Sequence, residues 1–397
     1  MKSIEQLSLE ARRVFIRVDF NAPVQDGRVS DATRLRAALP TIKFARSKGA
    51  KLVLASHRGR PKGKVSAELS LRPMAEELAT LLGAPVELLP DCIGPEVEAR
   101  VAAMKSGEVV LLENLRFHAE EEKNDEAFSR ALASLGDVYV NDAFGTAHRA
   151  HASTEGITHF ANDCAAGYLM FAEVAALSGL LGAPAHPFVT VVGGAKVGDK
   201  IRLMRNLLDR IDVLIVGGAM AYSFLHARGV PVGSSKVDEE NIAVARELLA
   251  EASARGVRIA LPVDHVVARE FQESAPTSIT NGEAIADGLM GLDIGPRSRE
   301  IFRELLLGAK TILWNGPVGV FEWESCAAGT MAMANAVADA KAHSVVGGGD
   351  SVAALTNSGR SSEITHVSTG GGASLEFLEG RVLPGVAALD AAQGAAQ

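Results

Sequence analysis

Phe188-Val189-Thr190-Val191-Val192-Gly193-Gly194 is an apolar run that stops at two glycines. Three further stretches end the same way: Ile215-Val216-Gly217-Gly218, Val345-Val346-Gly347-Gly348-Gly349 and Ser368-Thr369-Gly370-Gly371-Gly372. A helical pattern follows each of them. Short apolar strands alternating with helices are the signature of a parallel sheet whose two faces are both covered. In such a sheet ligands bind beyond the carboxyl ends of the strands.

Working outward, strands are expected in the second half at 188–192, 213–216, 258–262, 311–314, 343–346 and 364–367. The first half repeats the theme at 14–18, 51–55, 86–89, 108–112 and 138–140, with amphipathic helices at 34–47, 71–82 and 125–135. Gly49, Gly83 and Gly136 stand just past those helices, where a C-terminal cap belongs. The fold class expected is therefore α/β, two doubly wound parallel-sheet (Rossmann-like) domains joined by a helix and hinge. Residues 1–168 form the first domain, 169–184 the connection and 185–375 the second. Residues 167–181 read as a helix with apolar residues on more than one face, packed between the domains. An ordinary helix inside one domain is the other reading. The Ala/Gly/Gln tail at 391–397 is expected to fray.

Composition agrees. A chain of 397 residues exceeds one ordinary core, and 47% apolar with 22% charged residues is a soluble balance. The net charge of −8 offers no global basic field for nucleic acid or an anionic membrane. Cys92, Cys164 and Cys326 lack paired spacing, which argues against a disulfide scaffold or a zinc site. Residues 1–13 mix charges and show no apolar core of a signal peptide, and no run spans a membrane. A cytoplasmic protein is expected.

Glycine at strand ends lets backbone N–H groups approach phosphate oxygens, and a following helix N-terminus adds partial positive charge. One Gly pair is ordinarily a tight turn; four at equivalent strand ends favour a nucleotide crevice. Gly193-Gly194-Ala195-Lys196-Val197-Gly198-Asp199-Lys200 is not a P-loop, because Asp199 stands where the lysine belongs. No cluster completes Gly-x-Gly-x-x-Gly. Lys196 and Lys200, four apart, are expected on one face at the start of a helix over 200–209, either solvated or contacting phosphate. Asp350 is either a Mg²⁺ ligand or a helix N-cap. Glu322, just past a strand, could accept ribose hydroxyls.

The first half places basic residues at strand ends instead: Arg17-Val18-Asp19-Phe20-Asn21, Ser56-His57-Arg58-Gly59-Arg60-Pro61, Asn114-Leu115-Arg116-Phe117 and Asp142-Ala143-Phe144-Gly145-Thr146-Ala147-His148-Arg149-Ala150-His151. Arg34 begins a helix. Converging guanidinium and imidazole groups make a cup for a small polyanion. Pairing with surface carboxylates explains one or two positions, not the same placement after four strands. Phosphoryl transfer between a metabolite domain and a nucleotide domain follows.

These motifs, with Trp314-Asn315-Gly316-Pro317-Val318-Gly319-Val320-Phe321-Glu322 and Gly347-Gly348-Gly349-Asp350, resemble those of the phosphoglycerate kinase family, in the family's order and over almost the whole chain. The resemblance implies that Asp19, Asn21, Arg34, His57, Arg60, Arg116 and Arg149 hold the 3-phosphoglycerate moiety. It implies that Lys200, Gly291, Glu322, Gly348, Gly349, Asp350 and Ser351 hold ATP or ADP, with Asp350 contacting Mg²⁺. Arg34, Lys196, Gly371 and Gly372 would surround the transferring phosphoryl group. It further implies a monomer whose C-terminal segment, about 376–397, returns to the first domain. Arg58 and Ser351 depart from the family's usual residues, and Arg58 could alter the field at the cup's rim.

An acceptor carboxylate is already ionised, so no general base is needed and the histidines read as anion-binding or structural. Another small-metabolite kinase, a nucleotide-linked dehydrogenase and a non-catalytic scaffold are the alternatives. The missing Gly-x-Gly-x-x-Gly disfavours the dehydrogenase, and the retained Arg34, Lys196, Lys200 and Asp350 disfavour the scaffold.

Overall fold

The computed structural model describes residues 1–394. The chain divides into two compact units, Met1–Ala175 together with the segment from Val382 onward, and Ala176–Arg381. Helix Tyr168–Leu181 carries the chain from one to the other.

In the first unit the strands are β1 (Arg13–Val18), a small ribbon of β2 (Val24–Gln25) and β3 (Arg28–Val29), then β4 (Lys51–Ala55), β5 (Glu87–Leu88), β6 (Val109–Leu111), β7 (Val138–Asp142) and β8 (Cys164–Ala166). Six of them form a parallel sheet in the order β5-β6-β4-β1-β7-β8. β1 is central because its two faces are both buried. Val14, Ile16 and Val18 pack with Leu35, Ala38 and Ile42 of helix Thr33–Ser47 and with Met74 and Leu78 of helix Arg72–Leu82. Phe15 turns to the other face, against Tyr139 (ring centroids 6.1 Å apart). From β1 the chain builds β4 to β6 on one side and then crosses to β7 on the other. The order thus reverses between β1 and β7, where an open parallel sheet leaves a crevice.

The second unit repeats this plan with β9 (Phe188–Val192), β10 (Val213–Val216) and β11 (Arg258–Ala260), then β15 (Thr311–Asn315), β16 (His343–Gly347) and β17 (His366–Val367). Their order is β11-β10-β9-β15-β16-β17, so the reversal falls between β9 and β15. Val191, Ile215, Phe302, Trp314 and Met333 belong to its buried core. Between β11 and β15 the chain inserts a three-stranded antiparallel sheet of β12 (His265–Ala268), β13 (Ser278–Ile279) and β14 (Met290–Ile294). Sequence patterning does not reveal that sheet. β13 is two exposed residues, and β12 follows β11 too closely for the apolar run to divide itself.

Two expectations are revised. Gly83 caps its helix in the left-handed region (φ 61°), but Gly136 lies outside that region. A Cβ there would stand 2.8 Å from the Cβ of Phe15, so close packing on β1 demands that glycine. The tail expected to fray from residue 391 is helical through Gly394 in Pro384–Gly394; residues 395–397 lie outside the described residues. This helix begins on the first unit, with Gly385 N–H donating to the carbonyl of Ala147 (2.9 Å). The terminal ammonium of Met1 pairs with Asp390 at 2.8 Å.

Candidate active site

The first unit's crevice is built on buried charge. Arg17, near the end of the central strand β1, is fully buried. Its Nε donates to Ser153 Oγ (2.8 Å), one terminal nitrogen to the carbonyl of Val18, and the other to His57 Nδ1 (3.2 Å). Since a guanidinium only donates, Nδ1 of His57 is the acceptor and its proton sits on Nε2. Burial, then the charges of Arg17, Arg116, Arg34 and the nearby His151, push the His57 imidazole well below its ordinary range. His57 is therefore a neutral donor among cations.

Beneath it lies Glu121, fully buried, which accepts Ser153 N–H (2.9 Å) and Ser153 O–H (2.5 Å) and stands 3.9 Å from His151 Nδ1. Burial raises its carboxyl; Arg17 and the Ser153 donors pull it back.

Around this base the expected residues converge. Arg34 forms an ion pair with Asp19, whose other oxygen accepts Asn21 N–H (3.1 Å). Asn21 Oδ1 accepts Gly59 N–H (3.0 Å), and Arg116 donates to the carbonyl of Gly59 (2.9 Å). Burial, together with Arg17 and Arg149, disfavours the charged form of Arg116, while Glu122 and Glu121 oppose them. Arg60 and Arg149 are exposed, Arg60 one residue beyond Gly59. The loops that carry these groups are stapled by buried Asn114. Its oxygen accepts the N–H groups of Arg58 and Arg116 (3.2 and 3.1 Å), and its nitrogen donates to the carbonyls of Arg58 and Leu69. Arg58 itself turns to the carbonyls of Glu68 and Ser70 (2.7 and 3.1 Å), a local tie.

Arg17 reads from the sequence as a basic residue at a strand end, but two supporting residues escape sequence reasoning: Ser153 and Glu121. Neither carries a signal, because neither stands directly after an apolar strand.

The second unit's crevice is made of backbone. A Cβ on Gly193 would overlap the carbonyl of Pro317, so the loops after β9 and β15 touch main chain to main chain. Lys200 Nζ bridges them, donating to the carbonyls of Gly193 (2.7 Å) and Asn315 (2.9 Å). Burial drops its ammonium to about 8, with Asp350 and Asp199 opposing. Next to this bridge a cavity of about 500 Å³ is lined by Gly194, Ala219, Tyr222, Met290, Gly291, Leu292, Val320, Glu322 and Asp350. Its apolar walls suit a flat base, and its few polar groups sit at the rim. Gly291 donates its N–H to Ser235 Oγ (2.9 Å), and a Cβ there would overlap the Tyr222 hydroxyl.

Two sequence expectations change here. Lys196 and Lys200 do not share a helix face, because the α-helix starts at Ile201 and Lys200 closes the short 3-10 turn Gly198–Lys200. Lys196 is exposed in the preceding loop, while Lys200 is largely covered. Asp350 is not an N-cap: Gly348 (φ 90°) caps helix Gly349–Asn357, and Asp350 stands exposed in its first turn. Ser351 is fully buried, with its Oγ accepting Gly316 N–H at 2.5 Å, so its side chain supports the crevice from behind. Gly371 (φ 54°, ψ −117°) caps the short helix Gly372–Leu378 in a conformation that side chains resist.

Known proteins share this plan. A model of the family described as phosphoglycerate kinase matches residues 4–381. The chain is 56% identical over 387 residues to the phosphoglycerate kinase of Moorella thermoacetica, covering 98% of each. It is 55% identical over 393 residues to that of Anaeromyxobacter dehalogenans, covering 98% of this chain and 99% of the relative. The solved phosphoglycerate kinase of Coxiella burnetii superposes with a TM-score of 0.91 at 42% identity, covering 98% of both chains. That of Pyrococcus horikoshii gives 0.86 at 35%, covering 99% of this chain and all of the other.

Proposed function

We propose, on the premise that the chain belongs to the phosphoglycerate kinase family, that each crevice holds one of the two substrates of that family's reaction. The reaction itself, phosphoryl transfer between 1,3-bisphosphoglycerate with ADP and 3-phosphoglycerate with ATP, makes the chain a glycolytic phosphotransferase with a carboxyl acceptor. Asp19, Asn21, Arg34, His57, Arg60, Arg116 and Arg149 bind the three-carbon acid, and the glycine-rimmed cavity of the second unit binds the nucleotide. The observation that carries this reading is the set of cations, Arg17, Arg34 and Arg116, gathered around a histidine held neutral, with Arg149 acting on Arg116.

The acceptor carboxylate is ionised at neutral pH, so no residue has to remove a proton. A neutral His57 fits, donating from Nε2 to an anion. Arg34 and Lys196 supply positive charge for the three equatorial oxygens that gather negative charge, and the N–H groups of Gly371 and Gly372 add donors to the same end. Lys200 fixes the loops after β9 and β15, and Glu322 accepts from the ribose.

The site also fits a hard divalent cation: Asp350 offers an exposed carboxylate oxygen at the cavity wall, beside the Lys200 ammonium that moderates its charge. Asp350 would hold Mg²⁺, which neutralises phosphate charge when bound with the nucleotide. The substrates can react only when both crevices face a common space, and we assign the hinge to the segment around helix Tyr168–Leu181. A cytoplasmic monomer is the working form in this reading.

Turnover of ATP and 3-phosphoglycerate with Mg²⁺, compared between the native chain and Lys196→Ala, tests the assignment. A fall of about 10²–10³-fold is expected for one lost charge donor. Undiminished turnover removes Lys196 from the mechanism, and absent native turnover removes the assignment of the crevices.

A further inference from the structure

Asp91, Cys92 and His118 lie outside both crevices, yet they bring three different metal-ligand atoms together. A carboxylate oxygen, Sγ and an imidazole nitrogen all stand within 4.8 Å of one another. Asp91 and Cys92 leave the loop after β5, and His118 ends the turn after β6. Those strands are neighbours in the sheet, so fold topology, not sequence spacing, makes the cluster.

Two of the three donors are already linked through a proton. Asp91 Oδ1 is 2.7 Å from His118 Nε2, and the Cys92 Sγ stands within 4.8 Å of a ligand atom on each. The Cys92 N–H also donates to Asp91 Oδ1 (2.7 Å), which fixes the carboxylate toward the thiol. His118 packs on Phe128, ring centroids 5.3 Å apart, which restrains the imidazole plane. Cys92 is fully buried, while the Asp91 side chain is 48% exposed and lines an open cleft with Pro90, Glu113 and Phe117. One side of the cluster is thus closed and the other open to solvent.

We propose that Asp91, Cys92 and His118 form a binding site for a soft or borderline divalent cation such as Zn²⁺, with water from the cleft as fourth ligand. A tetrahedral ion at ordinary Zn–S and Zn–N/O lengths separates its ligand atoms by about 3.3–3.6 Å. The cluster reaches that by side-chain rotation, opening the Asp91–His118 contact and drawing Sγ inward. Proton balance is simple. The thiol proton passes to solvent as Sγ becomes a thiolate ligand, and the imidazole proton moves to Nδ1 as Nε2 turns to the metal. A thiolate ligand also separates this site from any Mg²⁺ held with nucleotide, since Mg²⁺ prefers oxygen donors alone.

Titration of the full nucleotide-free chain with Co²⁺, followed by displacement with Zn²⁺, tests the site. Expected are one Co²⁺ per chain, a sulfur-to-cobalt charge-transfer band with intense tetrahedral d–d bands, and bleaching by Zn²⁺. Cys92→Ser should abolish the charge-transfer band, and His118→Gln or Asp91→Asn should weaken binding by at least about tenfold. A native chain without the band overturns the proposal. So does a band that survives Cys92→Ser, which would belong to Cys164 or Cys326. If Cys92→Ser does not fold, the two partly exposed positions decide, and unchanged Co²⁺ affinity in both variants overturns the site.

Discussion

The two units share a strand order and differ in what fills the crevice. The first packs side-chain charge under its strand ends: Arg17, His57, Glu121 and Ser153 form a buried network that presents Arg34, Arg116 and Arg149. The second packs backbone on backbone, with Gly193 against Pro317 and Lys200 donating to two main-chain carbonyls. A small, multiply charged acid needs directed cations. A nucleotide needs an apolar slot beside N–H groups that come close only where side chains are missing. In the proposed assignment one topology serves both, because the residues at strand ends are free to vary while the buried strands are not.

That contrast breaks first at Arg17. Replacing it with Met leaves His57 and Glu121 buried without their shared partner, at a cost of about 3–5 kcal/mol. Denaturant unfolding should show the loss, along with weaker binding of 3-phosphoglycerate and little change for ADP in whatever fraction stays folded. A variant of native stability and affinity would mean the network is decorative.

The matching change in the second unit is Gly193→Ala. The added Cβ forces apart the loops after β9 and β15, which should cost about 1–3 kcal/mol and weaken ADP while sparing the acid. Calorimetric titration with each ligand separates those effects. Equal loss of both would erase the division of labour.

Acidity and alkalinity should also part the units. His57 is lowered and His151 falls to about 3, chiefly through burial, so the unfolded chain binds protons first. Their stabilisation is complete above about pH 6.5 and is lost as pH falls toward about 3. Asp142, raised to about 6 by burial, opposes them across part of that window. Asp293 of the second unit is raised to about 7 by burial, so its cost grows as pH rises from about 4 to 7 and then levels. His151→Asn should flatten the acid-side rise of the unfolding midpoint with pH, and Asp293→Asn should remove a fall between about pH 4 and 7. Slopes identical to the native chain in both would refute these assignments.

The smallest effect belongs to Glu322→Gln. This exposed rim carboxylate contributes one hydrogen-bond acceptor, so the KM for nucleotide should rise by no more than about tenfold with kcat nearly held. A collapse of kcat instead would move Glu322 into the chemistry.

Much of this was legible in the chain before folding. β4, β9 and β10 follow residue for residue from their apolar runs, because strands buried on both faces are almost continuously apolar. The crevice residues were legible because they cluster directly after those strands. The antiparallel sheet β12-β13-β14 was not, since two-residue strands carry no periodicity. Nor was the separation of Lys196 from Lys200, because spacing predicts a shared face only inside a helix that has already begun.

By itself, then, the sequence determined two parallel sheets, the end of each where a crevice opens, and the residue types that rim it. Those follow from local patterns of burial and from residue type at strand ends. Tertiary structure alone decided which charges are buried, which proton His57 keeps, and that Asp91 and Cys92 meet His118. Each of these depends on groups far apart in the chain coming within a few ångströms, where desolvation and hydrogen bonding set the outcome.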